Sequence, residues 1–193
     1  ALCIKHDVWV ISDEIHCDLS RSGVTHIPAA SVFPENHKII TCMSTSKTFN
    51  LAGLVGSCHI IYNETLRDRV CAVSNKTHYN EMNVLSMHAL IGAYQQQGYE
   101  WVDELNEIID ANVEYFCDYV DEHFEGVSYS RPQGTYMGFL DCTKWCREHG
   151  RDIQWLLDEG ARVGVGYQDG RPFHGPCHIR VNLALPLSRV KEA

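Results

Sequence analysis

Two short apolar runs of the chain each lead into polar residues of the kinds that carry out catalysis. The first run is followed by Asp13 and His16, and the second by Ser44 and Lys47. A lysine amine can form a Schiff base with an aldehyde cofactor, and a carboxylate can hold a pyridinium nitrogen in its protonated form. A hydroxyl three residues before the lysine, as at Ser44, can help to bind a phosphate. The residue types therefore allow a site for a phosphorylated aldehyde cofactor.

The two apolar runs must position these residues if the site exists. Residues 8–12 (VWVIS) are β-branched or aromatic and almost free of polar side chains, and residues 38–43 (KIITCM) have the same character. Such runs are typical of strands buried on both faces of a parallel sheet. Ligands of open α/β sheets bind beyond the carboxyl ends of the strands, so both polar clusters can face one crevice.

Asp13 and Lys47 also have ordinary structural explanations. An aspartate at the end of a strand often caps a helix or a turn, and a lysine is most often a solvated surface residue. Spacing alone therefore leaves their chemistry open.

The rest of the first half predicts one further strand and two helices. Residues 55–62 are the third strand candidate, and residues 64–74 are the first helix. The second helix covers residues 82–96 and is expected to end at Gly98, which would act as its C-cap.

The second half begins with a long amphipathic helix at residues 101–124, where apolar side chains recur every three or four positions. It continues with three strand candidates and one short helix, at residues 127–130, 135–141, 178–183 and 152–159. Strands and helices do not alternate strictly here, which indicates a small α+β domain. We predict one domain at residues 1–100 and a second at 101–193, with the boundary inside the long helix at about residues 98–110.

Composition excludes two classes of function. The formal net charge of −9 leaves no basic surface of the kind that binds nucleic acid. No apolar run approaches the length that crosses a membrane, so we expect no membrane association. The opening residues resemble the last turn of a helix entering a strand, and the closing ones resemble a helix that is just beginning. We therefore expect the chain to be truncated at both ends.

The cysteines favour a reduced protein. Nine are present and none forms a CxxC pair, which indicates a cytoplasmic location rather than a disulfide scaffold. Two groups contain metal-ligand residue types: Cys142, Cys146 and His149, and His174, Cys177 and His178. Neither spacing matches an established zinc pattern, so we expect no metal.

Four motifs together resemble a known family. They are SDEIHCDL at residues 12–19, STSKTFNLAGLVGS at 44–57, GTYMGFLD at 134–141 and HIRVNLALP at 178–186. In this order they resemble the fold-type I pyridoxal-phosphate (PLP) enzymes of the class I/II aminotransferase superfamily, and within it the MalY/PatB branch of cystathionine β-lyases. The resemblance implies an α/β fold: part of a large domain, with a mostly parallel sheet and flanking helices, followed by a small α+β domain.

The resemblance also implies roles for five residues. Lys47 would carry the cofactor, pyridoxal 5′-phosphate, and later move protons. Asp13 would pair with the pyridine nitrogen, His16 would lie near the phenolic oxygen, and Ser44 would contact the phosphate. Arg180 would clamp the α-carboxylate of an amino-acid substrate, for which a planar guanidinium is suited.

Two departures favour a lyase over a transaminase. Many aminotransferases have a tyrosine where this chain has His16, and a phosphate-binding arginine where it has Val55. The implied activity is β-elimination on a sulfur amino acid such as L-cystathionine, which gives a thiol, pyruvate and ammonia. An aminotransferase and a non-catalytic or regulatory protein on the same fold stay open as alternatives.

The resemblance finally implies a homodimer in which an N-terminal half completes the site. That half is not among these 193 residues. We therefore expect the piece alone to be poorly soluble and to retain the cofactor weakly, and its activity stays an open question.

Overall fold

The computed structural model describes residues 1–32 and 38–193 as two compact units. The first unit comprises Ala1–Ser20 and Thr25–Asp103, and the second comprises Arg21–Val24 and Glu104–Ala193. The predicted domains at residues 1–100 and 101–193 stay a prediction about the whole protein. The helices of the chain are α1 (Leu2–Lys5), α2 (Ala29–Val32), α3 (Glu64–Thr77), α4 (Val84–Ala93), α5 (Gln96–His123), α6 (Thr143–His149), α7 (Ile153–Arg162) and α8 (Leu187–Glu192). The strands are β1 (Val10–Asp13), β2 (Ile39–Met43), β3 (Cys58–Ile61), β4 (Ser128–Tyr129), β5 (Met137–Asp141), β6 (Gln168–Asp169) and β7 (His178–Asn182).

The sheet of the first unit has the order β1-β2-β3. β1 and β2 are parallel, with Asp13 opposite Cys42. β3 runs antiparallel to β2. The segment between β2 and β3 contains only a short 3₁₀ turn, Ala52–Leu54, rather than a crossover helix of the kind that joins parallel strands.

The burial predicted for the first strand is wrong. β1 begins at Val10 rather than at residue 8, and Ile11 is 71% exposed. Half-buried and exposed residues alternate along the strand, so one of its faces is open in this chain. An apolar run shows that a strand is hydrophobic, but it does not show which other residues of the chain pack against each face of that strand.

Helix α3 begins where the sequence places it. The side chain of Asn63 accepts a hydrogen bond from the backbone N–H of Leu66 at 2.8 Å, which satisfies one of the unpaired donors of the first turn. Asn83 caps α4 in the same way, through the N–H of Ser86 at 2.9 Å.

The predicted role of Gly98 is wrong. Gly98 does not end the helix before it but lies inside α5, which begins at Gln96. A Cβ atom on Gly98 would lie 1.7 Å from the carbonyl oxygen of Ala93, the last residue of α4. The glycine therefore allows the first turn of α5 to lie against the end of α4. A glycine after a helical pattern is ambiguous in sequence, because a glycine can either end a helix or allow two segments to pack closely.

The long amphipathic helix is confirmed in α5. In the second unit its buried side chains include Ile109, Val113, Cys117 and Val120, which recur every three or four residues. Ile108 was expected on the same face and is 53% exposed.

The sheet of the second unit has the order β4-β5-β7-β6, and all of its pairings are antiparallel. Its core is a cluster of buried side chains from α5, β5, α6, α7 and β7: Val120, Leu140, Cys142, Cys146, Ile153 and Ile179. Asn112 of α5 is fully buried, and its amide donates to the carbonyls of Leu183 and Leu185 at 2.8 and 2.7 Å. This side chain fixes α5 to the segment that follows β7.

Across residues 1–32 and 38–193, no helix combines the length and the apolar character that a membrane span requires.

The close approach at Gly98 predicts a large difference between two glycine substitutions. Gly98→Ala should lower the free energy of unfolding by about 1–3 kcal/mol, because the added methyl group overlaps the Ala93 carbonyl. Gly92→Ala is the matched control in α4, where a Cβ meets nothing within 4 Å. It should be neutral or stabilising by up to about 1 kcal/mol through helix propensity. Urea unfolding monitored by circular dichroism measures both. Equal effects would contradict the packing at Gly98.

Candidate active site

Asp13 is the last residue of β1, and its carboxylate is exposed. One carboxylate oxygen accepts a hydrogen bond from the backbone N–H of Ile15 at 3.2 Å, so the side chain also holds the turn that follows the strand. Because β1 and β2 are parallel, their carboxyl ends meet at one edge of the sheet. Asp13 and the turn that begins after Met43 therefore lie next to each other at this edge.

Lys47 lies in the turn that follows β2, and its side chain is exposed. The backbone of this turn is held by hydrogen bonds from the N–H of Phe49 to the carbonyl of Thr45 and from Leu51 to Ser46, at 3.0 and 3.1 Å. Thr45 and Thr48 on either side are buried. Among the residues that the structure describes, the Lys47 amine has no ion pair or hydrogen bond. The residues on either side of Lys47 are therefore held in place, while the Lys47 amine is available to react.

Ser44 is buried, and its hydroxyl organises the start of the same turn. It donates to the carbonyl of Gly56 at 2.5 Å, accepts from the N–H of Ser46 at 3.1 Å, and lies 2.7 Å from the Ser46 hydroxyl. Ser46, which the sequence did not single out, is the more accessible of the two hydroxyls. Ser44 and Ser46 belong to the same motif, so the sequence pattern does not distinguish which of the two hydroxyls is the more accessible.

An open pocket of about 680 Å³ adjoins this turn within the first unit. Its lining includes Ser44, Ser46, Gly56 and Ser57 together with residues 77–82. Several serines line this space together with His78 and Glu81, which pair with each other at 2.7 Å, and its volume can hold a small polar group.

His16 lies in the turn after β1, three residues beyond Asp13, and is half-buried. Its backbone carbonyl accepts from the N–H of Leu19 at 3.0 Å, which closes the turn. The expected role of its imidazole beside a cofactor stays a prediction.

Val55 has an unusual backbone conformation. It ends the 3₁₀ turn with φ 49° and ψ 69°, in the left-handed region, and its side chain is 81% exposed. A β-branched residue is uncommon there because its Cβ crowds the backbone. This strained residue lies beside the Ser44 pocket, and no sequence pattern indicates its backbone conformation.

Glu14 is a buried carboxylate directly after Asp13. It accepts hydrogen bonds from the imidazole Nε2 of His26 and from the N–H of Ala29, both at 2.9 Å. Burial by itself raises the pKa of Glu14, but the hydrogen bonds from His26, Ala29 and Ser12 outweigh it and hold the pKa below its usual value. Through these two hydrogen bonds, Glu14 holds the segment at residues 26–29 against the turn that carries Asp13.

Arg180 belongs to the second unit, where it lies in the middle of β7. Its guanidinium lies 4.1 Å from the centre of the Phe173 ring and donates to the side-chain oxygen of Gln168. Within the described part of the chain it has no carboxylate partner. A guanidinium supported by an aromatic face and an amide, and not already ion-paired, is suited to bind a carboxylate.

The cysteines of the CTKWCREH segment form part of a hydrophobic core. Cys142 and Cys146 are buried in the core of the second unit, where burial raises the pKa of the Cys142 thiol to about 12 and that of the Cys146 thiol above its usual value. His149 stacks on Trp145 with ring centres 4.3 Å apart. Among residues 1–32 and 38–193, no three His, Cys, Asp or Glu side chains are grouped as metal ligands.

Comparisons with known proteins agree on one family. The family model for aminotransferases of class I and II matches residues 1–193. The protein MalY of Escherichia coli (strain K12) is 33% identical over 99% of this chain and 48% of its own length. The cystathionine β-lyase PatB of Bacillus subtilis (strain 168) is 30% identical over 99% of this chain and 49% of its own. The chain thus spans about half the length of the curated relatives it matches.

The fold is similar to that of a solved enzyme. The crystal structure of a PLP-bound C–S lyase from Staphylococcus hominis superimposes with a TM-score of 0.87 and 35% identity. The alignment covers 99% of this chain and 49% of that one. The resemblance that the four motifs carry and the expected α/β fold class are both confirmed.

The Glu14 contacts predict a pH-dependent contribution to stability. A carboxylate whose pKa is lowered on folding stabilises fully above its unfolded-state value of about 4.5, and this contribution is lost as the pH falls through the folded pKa. Glu14→Gln should therefore cost roughly 1–3 kcal/mol at pH 7 and progressively less below pH 4.5. Urea unfolding between pH 3 and 7 measures the difference.

The matched control is Glu81→Gln, which removes the charge from an exposed pair with His78 at 2.7 Å. Exposed pairs contribute little, so this variant should follow the wild type at every pH. A Glu14→Gln penalty that stays constant down to pH 3 would show that the carboxylate charge plays no part.

Proposed function

Because the chain belongs to the class I and II aminotransferase family, we propose that it forms part of a PLP-dependent C–S lyase. The proposed reaction is β-elimination on a sulfur amino acid such as L-cystathionine, with thiol, pyruvate and ammonia as products. The observation that carries the proposal is the exposed Lys47 amine, without a partner in the described residues, on the sheet edge that also presents Asp13. The cystathionine β-lyase and C–S lyase names of the relatives support the same class of reaction.

The residues present fit the chemical groups of pyridoxal phosphate. Its aldehyde requires a free amine, which Lys47 offers, and its protonated pyridine nitrogen requires a carboxylate to accept its hydrogen bond, which Asp13 offers. Its phosphate requires hydrogen-bond donors such as hydroxyls, and the lining of the pocket includes Ser44, Ser46 and Ser57. We assign His16 to the neighbourhood of the phenolic oxygen on the resemblance alone. The bound cofactor supplies an electron sink for a negative charge at the substrate Cα.

The side chains of this chain do the remaining work. Lys47 would hold the cofactor through its aldehyde, and its amine would also remove the proton from the substrate Cα. The Asp13 carboxylate keeps a proton on the pyridine nitrogen, which strengthens the electron sink. On the resemblance, Arg180 would bind the α-carboxylate of the substrate, for which its guanidinium can form two parallel hydrogen bonds.

Two positions support a lyase rather than an aminotransferase. His16 stands where aminotransferases often have a tyrosine, and Val55 stands where they often have a phosphate-binding arginine. Val55 is exposed beside the pocket and carries no charge, so hydroxyl and backbone donors would bind the phosphate at this point.

We also propose that the full-length protein acts as a homodimer on small-molecule amino-acid substrates in the cytoplasm. Several large apolar side chains of the first unit are exposed: Ile11, Val55, Tyr79, Val84 and Leu85. Large apolar side chains that are exposed in this way can form part of an interface when they lie together. A second copy and the remainder of a longer chain would both cover such surface.

The proposal predicts that one lysine alone carries the cofactor. We expect borohydride reduction after incubation with PLP to place a phosphopyridoxyl group on Lys47, as mapped by peptide mass spectrometry. Lys76 is the matched internal control, because it is exposed on α3 in the same unit. Lys47→Ala should abolish the specific adduct. Labelling spread equally over Lys47 and Lys76, in the chain at its full natural length, would overturn the assignment.

The proposal also predicts a substrate-binding defect for Arg180→Lys. Lysine cannot form the two parallel hydrogen bonds of a guanidinium with a carboxylate. The substitution should therefore lower kcat/KM for L-cystathionine elimination about 10-fold or more, a loss of about 1.4 kcal/mol of transition-state stabilisation. Pyruvate and thiol release without an added oxo acid measures the reaction. Arg171→Lys is the control, because Arg171 is already paired with Asp169 at 2.7 Å.

A new amino acid formed only in the presence of an oxo acid would identify the aminotransferase alternative. Equal effects of the two arginine substitutions would remove Arg180 from the substrate site.

A further inference from the structure

The Asp18 carboxylate joins three segments of the first unit and has no part in the chemistry described so far. It lies in the turn after β1, five residues beyond Asp13. Its Oδ2 accepts from the Thr48 hydroxyl at 2.9 Å and from the Tyr94 hydroxyl at 3.3 Å. Its Oδ1 accepts from the Cys17 thiol at 3.6 Å. The turn after β1, the turn after β2 and the end of α4 therefore meet at one carboxylate.

Thr48, Tyr94 and Cys17 each act as a hydrogen-bond donor to Asp18. Burial and the neighbouring Asp18 charge raise the pKa of the Tyr94 hydroxyl far above its usual value. Burial and the same charge raise the pKa of the Cys17 thiol to about 11. Both groups therefore keep their protons at neutral pH and donate them toward the carboxylate. A hydrogen bond to a charged acceptor is stronger than one between neutral groups.

Thr48 transmits this constraint to Lys47. It follows Lys47 directly, and its side chain is 1% exposed. Next to it, the Phe49 ring lies edge-on to Tyr94 at 5.7 Å and stacked on Trp101 at 5.6 Å. The backbone on the carboxyl side of Lys47 is thus held by one partly buried hydrogen bond and two aromatic contacts, while the lysine side chain is exposed.

We propose that Asp18 is a positioning residue, which through Thr48 fixes the Lys47 turn to the turn that carries Asp13. This inference rests on the proposed function, because it concerns the place at which the lysine amine meets the cofactor. Parallel pairing places the two strand ends together, but the turns beyond them need a contact of their own. The Asp18–Thr48 hydrogen bond is such a contact. Removing it should let the Lys47 amine shift relative to Asp13.

The test compares Thr48→Val with Thr48→Ser and Tyr94→Phe in the PLP-loaded protein at full natural length. Thr48→Val removes the hydroxyl without changing charge or size greatly, Thr48→Ser restores it, and Tyr94→Phe removes a different donor to the same oxygen. The measurement is the pH titration of the visible absorbance of the Lys47-bound cofactor. We expect Thr48→Val to move the midpoint by about half a pH unit or more. Thr48→Ser and Tyr94→Phe should leave it near the wild-type value.

A double-mutant cycle separates positioning from a general loss of charge. Asp18→Asn alone changes both the charge near the site and the position of the Lys47 turn. If Asp18 and Thr48 act through one contact, adding Thr48→Val to Asp18→Asn should not shift the titration midpoint any further. Additive shifts, or equal shifts from Thr48→Val and Tyr94→Phe, would overturn the inference. So would lower thermal stability in Thr48→Val with an unchanged titration, because that result describes a residue that supports only the fold.

The two proposals fail in different ways. Absence of a cofactor adduct on Lys47 in the wild type would overturn the proposed function and this inference with it. A normal wild-type adduct with unchanged titration in Thr48→Val would overturn the inference alone.

Discussion

The parallel pairing of β1 and β2 is the constraint on which the candidate site depends. Asp13 lies opposite Cys42 in this pairing, so the turn of Asp13 and the turn of Lys47 begin at the same edge of the sheet. A register shift by one residue would turn each side chain to the opposite face. The acid and the amine can serve one ligand only because these two strands run in the same direction and in this register.

Buried polar contacts then determine the shape of the two turns. Ser44 closes the start of the Lys47 turn through Gly56, and Glu14 holds residues 26–29 beneath Asp13. Asp18 and Thr48 join the two turns. Buried polar groups are costly unless they are paired, so each contact allows few alternatives. Asp13 and Lys47 themselves are exposed, and the surrounding structure fixes their backbones while leaving their reactive atoms available.

Sequence patterns predicted some elements well, for identifiable physical reasons. The apolar spacing of α5 follows from burial of one helix face, and the motifs around Asp13 and Lys47 identified the family. The direction of β3, the packing of Gly98 and the left-handed Val55 depend on contacts between segments, which periodicity does not report. Asn112 and Asp18 were missed for the same reason. A polar residue in a helix or a turn normally faces solvent, and only the fold shows that these two have buried partners.

The most direct test of the strand-end arrangement is the protonation state of the cofactor's pyridine nitrogen. Nitrogen-15 NMR of the protein loaded with PLP labelled at that nitrogen measures it without any turnover. We expect a protonated nitrogen at neutral pH in the wild type and an unprotonated one in Asp13→Asn, with Lys47 modified in both. A nitrogen that is unprotonated in the wild type, or equally protonated in both proteins, would contradict the pairing of Asp13 with the cofactor.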